Sequence, residues 1–374
     1  MTTGARDTTS LVQLTGWDAT ALRNFDLEQG TSYTQVVAQL NAALGALNAD
    51  LASDPLWGTL VSFTDEPEVE YRIGGTGGME RATEYSRSDP QRAATEGHML
   101  PLIEWDRALG WTYRYLRKAR MSQLQADIGM AIDDVRTRWR VSLLTRALQR
   151  GDDSGTANGL GTSGYSPGFA TAAASTNVDY VPPTYGGTAF TSAHEHYVTI
   201  AGGAFTAAVF QDVRAELREH GHLPPYEFMI GMGDEVAVRA LTGFIPVGQQ
   251  LVSYGNGVSL ATFGTEEDQI NGSYYIGTLE DCKIRVVPGV PTYWGFGWKS
   301  YGMNDPRNPL RVRLGKGQTR PRFIAMTDPN AGNATHPLQY LQIWGEFGVG
   351  VGDRTNGTPR YVNHANTWAD GTPT

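Results

Sequence analysis

The sequence predicts an α+β chain, with helices and strands segregated into separate stretches. Three observations carry that reading. Two long segments, Ser32 to Leu56 and Ser122 to Gln149, repeat apolar residues at three- and four-residue steps. Short alternating runs mark strands from Val61 to Ile73 and again between Tyr275 and Val351. No regular βαβ rhythm and no internal repeat joins them.

The first segment reads as a helix capped by Ser32, with Val36, Leu40, Leu44, Leu47 and Leu51 on one stripe and Asp54-Pro55 ending it. Residues 1–10 read as disordered. After the helix the period changes to two: Val61 and Phe63 alternate with polar neighbours, as do Val69, Tyr71 and Ile73. A glycine patch, Gly74 to Gly78, leads into a polar stretch from Glu80 to Gly97. In that stretch Arg81, Arg87 and Arg92 interleave with Glu80, Glu84 and Asp89. So long a polar excursion between strands predicts an arm or extended hairpin, the plainer alternative being a surface loop.

The strongest helix follows. Leu124, Ile128, Ile132, Val135, Trp139 and Leu143 share one face, with Ala131 and Ser142 between them and Ser122 as the expected cap. Asp127, Asp133, Asp134, Arg136, Arg138 and Arg140 fall opposite, and Gly151 stops the helix. About 28 residues give a rod of roughly 40 Å. Gly151 to Thr191 is rich in Gly, Ser, Thr and Ala and predicts loop with short strands. A second helix, from about Thr206 to His220, places Val209, Val213 and Leu217 together. Phe228 to Ile230 is a buried strand, and Glu235 to Leu241 another helix. Strands then recur at Tyr275-Ile276, Ile284 to Val287, Tyr293 to Phe296, Leu310 to Leu314, Phe323-Ile324 and Tyr340 to Val351, before a turn at Asn356-Gly357.

Composition narrows the function. The chain has 374 residues, 40% hydrophobic and 18% charged, enough for a sizeable core and about two to three domains. No apolar run approaches the roughly 18 residues of a membrane span, and Met1 to Ser10 has no signal-like apolar core. A cytoplasmic start is expected, and the lone Cys282, unable to form an internal disulfide, agrees with it. A net charge of −9 argues against dedicated nucleic-acid binding. Lys118, Lys283, Lys299 and Lys316 are the only lysines, and the remaining basic residues are arginines. Arginine suits bidentate interface contacts, although coding bias gives the same skew.

Catalytic motifs do not assemble. Gly164-Tyr165-Ser166-Pro167-Gly168 fits a serine nucleophile elbow in letters. The residue after that serine must donate its N–H to the oxyanion, and Pro167 has none. His194-Glu195-His196 and His220-Gly221-His222 each place two imidazoles two residues apart, so either pair could begin a zinc site. No HExxH spacing completes one, so both pairs read as surface or satisfied histidines, and no metal or cofactor is expected. The glycines at 74–78 and around Lys316 lack a phosphate-loop context. Asp133-Asp134 and Glu266-Glu267-Asp268 read as solvated charge. Trp294, Phe296 and Trp298 would share one strand face and read as core or subunit interface ahead of a ligand platform.

The order of elements resembles the major capsid proteins of tailed bacteriophages, the Hong Kong 97-type fold. Three segments carry the resemblance: Arg146 to Gly155 with Asn158-Gly159-Leu160, similar to the end of the family's spine helix; Pro225 to Met232, similar to its strand before a short helix; and Cys282 to Pro291, similar to its strand entering a late hairpin. The resemblance covers about residues 60–350. It implies an N-terminal arm with helix over 1–60, an extended loop and its flanks over 61–120, and a peripheral domain with spine helix over 121–189. An axial domain over 190–305 and peripheral return strands with a C-terminal tail over 306–374 complete it.

The resemblance further implies a non-enzymatic structural subunit, homo-oligomeric as hexamers and pentamers of an icosahedral shell around double-stranded DNA. Scaffolding, portal and decoration proteins are its expected partners, DNA is contacted non-specifically, and no membrane is involved. Assembly in the host bacterial cytoplasm and residence in the virion follow. Some members cross-link through a lysine on the extended loop. Here no lysine lies between Val61 and Arg117, so non-covalent locking is expected, with Arg72, Arg81, Arg87 and Arg92 pairing to a neighbour's carboxylates. An encapsulin-type compartment, a hydrolase or metal enzyme using Ser166 or the histidine pairs, and a tail or portal protein are the alternatives.

Overall fold

The computed structural model describes residues 33–73, 94–112, 115, 118–151, 167–170, 194–247, 250–254, 258–262, 273–327, 338–363 and 367–374. Residues 1–10, the cap Ser32, the excursion tip with Arg81, Arg87 and Arg92, most of the 151–191 tract, Ser166 and Glu266-Glu267-Asp268 lie outside them.

In chain order the helices are α1 (Tyr33–Ser53), α2 (Pro55–Leu60), α3 (Met121–Leu148), α4 (Ala207–Glu219) and α5 (Glu235–Arg239). The strands are β1 (Val61–Thr64), β2 (Glu68–Ile73), β3 (Ala94–Met99), β4 (Glu104–Thr112), β5 (Val198–Ala201), β6 (Tyr226–Ile230), β7 (Ile245–Pro246), β8 (Gln250–Tyr254), β9 (Val258–Thr262), β10 (Tyr274–Leu279), β11 (Cys282–Val286), β12 (Trp294–Trp298), β13 (Leu310–Leu314), β14 (Phe323–Thr327), β15 (Leu338–Val351) and β16 (Thr358–Asn363). The chain is a mixture of helix and sheet, as predicted. It divides into two compact units, the first comprising Met1–Ser53, Ile103–Trp139 and Arg320–Phe347, the second the remainder.

In the first unit β15 is the centre of an antiparallel sheet. It pairs with β14, Phe323 opposite Gly345, and with β4, Leu341 opposite Leu109. Helix α1 buries Leu40, Leu44, Leu47 and Leu51, the predicted stripe, and packs on β14. The first part of α3 closes the core. Trp139 is buried against Phe347, ring centroids 4.9 Å apart, and Phe347 also meets Trp105 and Phe323. Trp111 Nε1 donates to Asp127 Oδ2 at 2.9 Å, tying β4 to α3.

Several expectations need correction. Ser122 lies inside α3 and does not cap it; the Arg120 N–H donates instead to Gln123 Oε1, three residues on, in the manner of a capping box. Leu124, Ile128, Val135, Trp139 and Leu143 are buried as predicted, but Ile132 is half-buried and Ala131 takes the buried place beside it. The single helix expected over 32–56 is two: Asp54 ends α1 and caps α2 by accepting from the Leu56 and Trp57 N–H groups. In β1, Val61 is buried as expected, but Ser62 is buried too and Phe63 is only half-buried, so the alternation does not hold.

The second unit contains a seven-stranded sheet in the order β5-β16-β12-β6-β11-β10-β7. Helix α4 lays Val209, Phe210, Val213 and Leu217 on it, against Phe228, Ile230, Ile284 and Val286. Trp294, Phe296 and Trp298 are all buried, which makes them core residues. The intervening glycines let the other face of β12 close up: a methyl at Gly295 would lie 2.5 Å from the Phe228 ring, and one at Gly297 2.5 Å from Val213 Cγ1. Tyr293 stands outside the strand, exposed and at φ +73°. The strand after Asn356-Gly357 was not anticipated. β16 does not return with the late strands; it inserts between β5 and β12.

Also in this unit, β1 and β13 pair in parallel, and β2 and β3 form an antiparallel hairpin. Arg146, buried in the last turn of α3, donates to Gln149 O and Gly151 O at 2.9 and 2.7 Å, satisfying carbonyls that the helix end leaves open.

Candidate assembly surface and histidine cluster

The hairpin of β2 and β3 is tied to the rest of its unit. β2 and β3 run from Glu68 opposite Met99 to Ile73 opposite Ala94, with Arg72 opposite Thr95. Val69 and His98 face each other and are both buried. His98 Nε2 donates to Val351 O at 2.9 Å, and the Leu100 N–H donates to Pro67 O at 2.7 Å. Burial pushes the His98 imidazole down to about 3, with Arg354, Arg146 and Arg311 adding to the effect. The ring is therefore neutral at neutral pH. Of the four arginines expected to reach a neighbour, Arg72 is placed on this hairpin by its backbone, and the other three lie outside the described residues.

Exposed apolar side chains gather near α5. Val236 is 80% and Met232 60% exposed, and Tyr293 is joined to the same turn by its N–H, which donates to Asp234 Oδ2 at 2.8 Å. Burial raises the Asp234 carboxyl to about 6. No sequence signal singled this patch out, because Met232, Val236 and Tyr293 each stand within two residues of apolar side chains that the fold buries, Ile230, Val238 and Trp294.

The two H-x-H pairs meet in the second unit. Neither pair alone has the further ligands a metal site needs; the fold brings His220 of the second pair to both histidines of the first. The Nε2 atoms of His194, His196 and His220 stand 3.1, 2.9 and 2.8 Å from one another. His196 is fully buried, and its Nδ1 donates to Gly357 O at 2.8 Å. His220 and His222 part company at a helix stop. The Gly221 N–H donates to Arg218 O and the His222 N–H to Leu217 O, a Schellman arrangement whose left-handed position, φ +87°, is filled by glycine. His220 thereby turns to the cluster, while His222 contacts the Tyr301 hydroxyl and Thr355 Oγ1.

Glu216, one turn earlier on α4, brings Oε1 to 4.0 Å from His196 Nε2. Its Oε2 accepts from Arg360 Nη2, and Arg360 Nη1 donates to His196 O at 3.0 Å. Burial lowers His196 well below the usual imidazole range and takes His220 to about 2, the neighbouring histidines contributing to the latter. Burial raises Glu216 against the pull of Arg360. Among the described residues this is the one group of three or more His, Cys, Asp or Glu placed to hold a metal ion.

Cys282 is buried, and burial pushes its thiol up to about 12, which keeps it protonated. Asp133 and Asp134 are exposed, as read from the sequence. None of the described helices is long and apolar enough to cross a membrane.

No family model and no curated protein matches the sequence. Solved structures do match in fold. A chain from Mycobacterium phage Patience superposes with a TM-score of 0.62, covering 92% of both chains at 15% identity. Chains from the capsid of a native GTA particle and from the mature capsid of bacteriophage PhiM1 each cover 82% of this chain and 89% and 86% of their own. They do so at 15% and 9% identity with TM-scores of 0.46 and 0.47. At such identities the first match establishes a shared fold, and the looser two add no argument.

Proposed function

We propose that this chain is the major capsid protein of a tailed bacteriophage, a Hong Kong 97-type subunit that builds an icosahedral shell from hexamers and pentamers around double-stranded DNA. The observation that carries the reading is the fold shared with a phage chain over 92% of both lengths. The sequence resemblance supports it independently, as does the anchored hairpin at the foot of the polar excursion. In this reading residues 66–100 are the extended loop over a neighbouring subunit, and α3 is the peripheral spine. The seven-stranded sheet with α4 and α5 is the core of the axial domain, which gains β16 from beyond the expected boundary at 305.

Locking is non-covalent, through Arg72, Arg81, Arg87 and Arg92 and a neighbour's carboxylates. Finding those guanidinium groups solvated in an assembled particle would refute it. The partners are scaffolding, portal and decoration proteins, and the enclosed DNA is contacted only non-specifically, a wall of acidic balance keeping it from sticking. Assembly takes place in the bacterial cytoplasm, and the product is a wall without catalytic activity.

The test is negative-stain electron microscopy with mass by light scattering, on the chain expressed alone and with a scaffolding partner. Closed shells or six- and five-membered rings are expected. A chain that stays monomeric or dimeric in both settings overturns the proposal.

A further inference from the structure

We infer that His194, His196 and His220 bind a divalent transition metal of the zinc class, with Glu216 completing the coordination. An imidazole Nε2 either carries a proton or presents a lone pair. Three such atoms in a closed triangle must include two of the same kind. At 2.8–3.1 Å that pair sets lone pair against lone pair or proton against proton. No choice of tautomer or charge removes the conflict. A cation at the centre does, because it accepts all three lone pairs together.

Dimensions and surroundings fit. Bonds of about 2.05 Å at tetrahedral angles separate ligand nitrogens by about 3.3 Å. The observed sides of 3.1, 2.9 and 2.8 Å are shorter than that by up to about half an ångström, which a small outward shift of the rings makes up. His196 is already set for ligation: its Nδ1–H is committed to Gly357 O, so its Nε2 presents the lone pair inward, the usual backbone-carbonyl support of a metal-bound histidine. Arg360 holds Oε2 of Glu216 and leaves Oε1 as the free carboxylate oxygen nearest the cluster. Imidazole donors with one carboxylate select zinc-like ions over magnesium or calcium.

The ion's role is structural. His194 and His196 immediately precede β5, the edge strand of the seven-stranded sheet. His220 ends α4 and Glu216 lies within it. Gly357 belongs to the turn before β16. One ion therefore fastens the sheet edge to the end of the helix that covers it. This inference stands apart from the capsid reading and would hold for a subunit of any assembly.

The test uses the full chain without a polyhistidine tag, purified without chelator, and measures zinc by elemental analysis and by titration with Zn²⁺. About one zinc per chain is expected, lost in both His194→Ala and His220→Ala, whose side chains are only partly buried. Glu216→Gln is expected to weaken binding by about tenfold or more. Chelation should lower the melting temperature of the wild type and leave the two histidine variants unmoved. Cobalt substitution should give the intense visible bands of a four-coordinate ion. Metal-free protein that takes up no zinc overturns the inference. So does zinc retained equally by both histidine variants, which would mark it as adventitious.

Discussion

Asn48 pairs with Phe323 as if it were a neighbouring strand. Its Oδ1 accepts from the Phe323 N–H at 2.8 Å, and its Nδ2 donates to Phe323 O at 2.9 Å. A helical side chain thus supplies both ladder bonds at the first residue of β14. Replacing Asn48 by Ala removes both and is expected to cost about 1–3 kcal/mol. Asn48→Asp should be at least as damaging at neutral pH, because a carboxylate would face the Phe323 carbonyl without a donor. Chemical denaturation of the two variants checks the order; an alanine variant worse than the aspartate would show that packing is what matters there.

Trp139 tests the core of the first unit. It is buried against Phe347, which itself contacts Trp105 and Phe323. Trp139→Ala should lose about 3–5 kcal/mol, and Trp139→Asp, which buries an unpaired charge, should abolish folding. Soluble yield and circular dichroism report the outcome. A soluble, assembled aspartate variant would mean that this face of α3 is not core.

Val236 tests whether the exposed apolar patch at α5 meets a neighbouring subunit. At 80% exposure it contributes little to the fold, so Val236→Glu should leave the melting temperature of the subunit within about 1 °C, as surface changes typically do. Particle yield should fall. Unchanged yield would place the patch on a face of the shell that meets no neighbour.

His98 predicts an acid limb in the stability curve. Its imidazole titrates near 6.5 in the unfolded chain and at about 3 when folded, so between those values the unfolded state binds the extra proton. Its contribution is complete above pH 6.5 and is lost as pH falls toward 3, at about 1.4 kcal/mol per unit. Other buried histidines steepen the same limb. His98→Gln, which does not titrate, should reduce the slope of unfolding free energy against pH by about one proton. An unaltered slope would show that His98 is not held neutral by the fold.

The sequence announced what repeats locally. Leu40 to Leu51 and Leu124 to Leu143 follow the helical period, and both stripes are buried, because a face that must leave water leaves a periodic mark. The one slip, Ile132 for Ala131, is a rotation of about one position, which periodicity alone does not resolve. Of the hairpin at 68–99, the partner strand Ala94–Met99 lay hidden in the polar stretch, while β2 was readable from the alternation of Val69, Tyr71 and Ile73. β16 was not: Thr358-Pro359-Arg360-Tyr361-Val362-Asn363 carries a proline and a charge and has no apolar alternation. It is held by two strand neighbours and by the pairing of Arg360 with Glu216, partners from far along the chain. The histidine cluster was hidden for the same reason. Nothing in the spacing of His194, His196 and His220 shows that α4 doubles back to bring its end to the start of β5.

The position of β16 also sets a clock. Strands β5 and β12 are made long before it, yet they sit on either side of the slot it fills. Until residue 363 has left the ribosome, both present unpaired backbone edges, and Glu216 has no guanidinium partner in Arg360. The sheet is thus completed only once β16 is made, and until then a nascent chain has open strand edges to keep from pairing with other chains. A fold wired this way couples the readiness of the sheet to translation of β16.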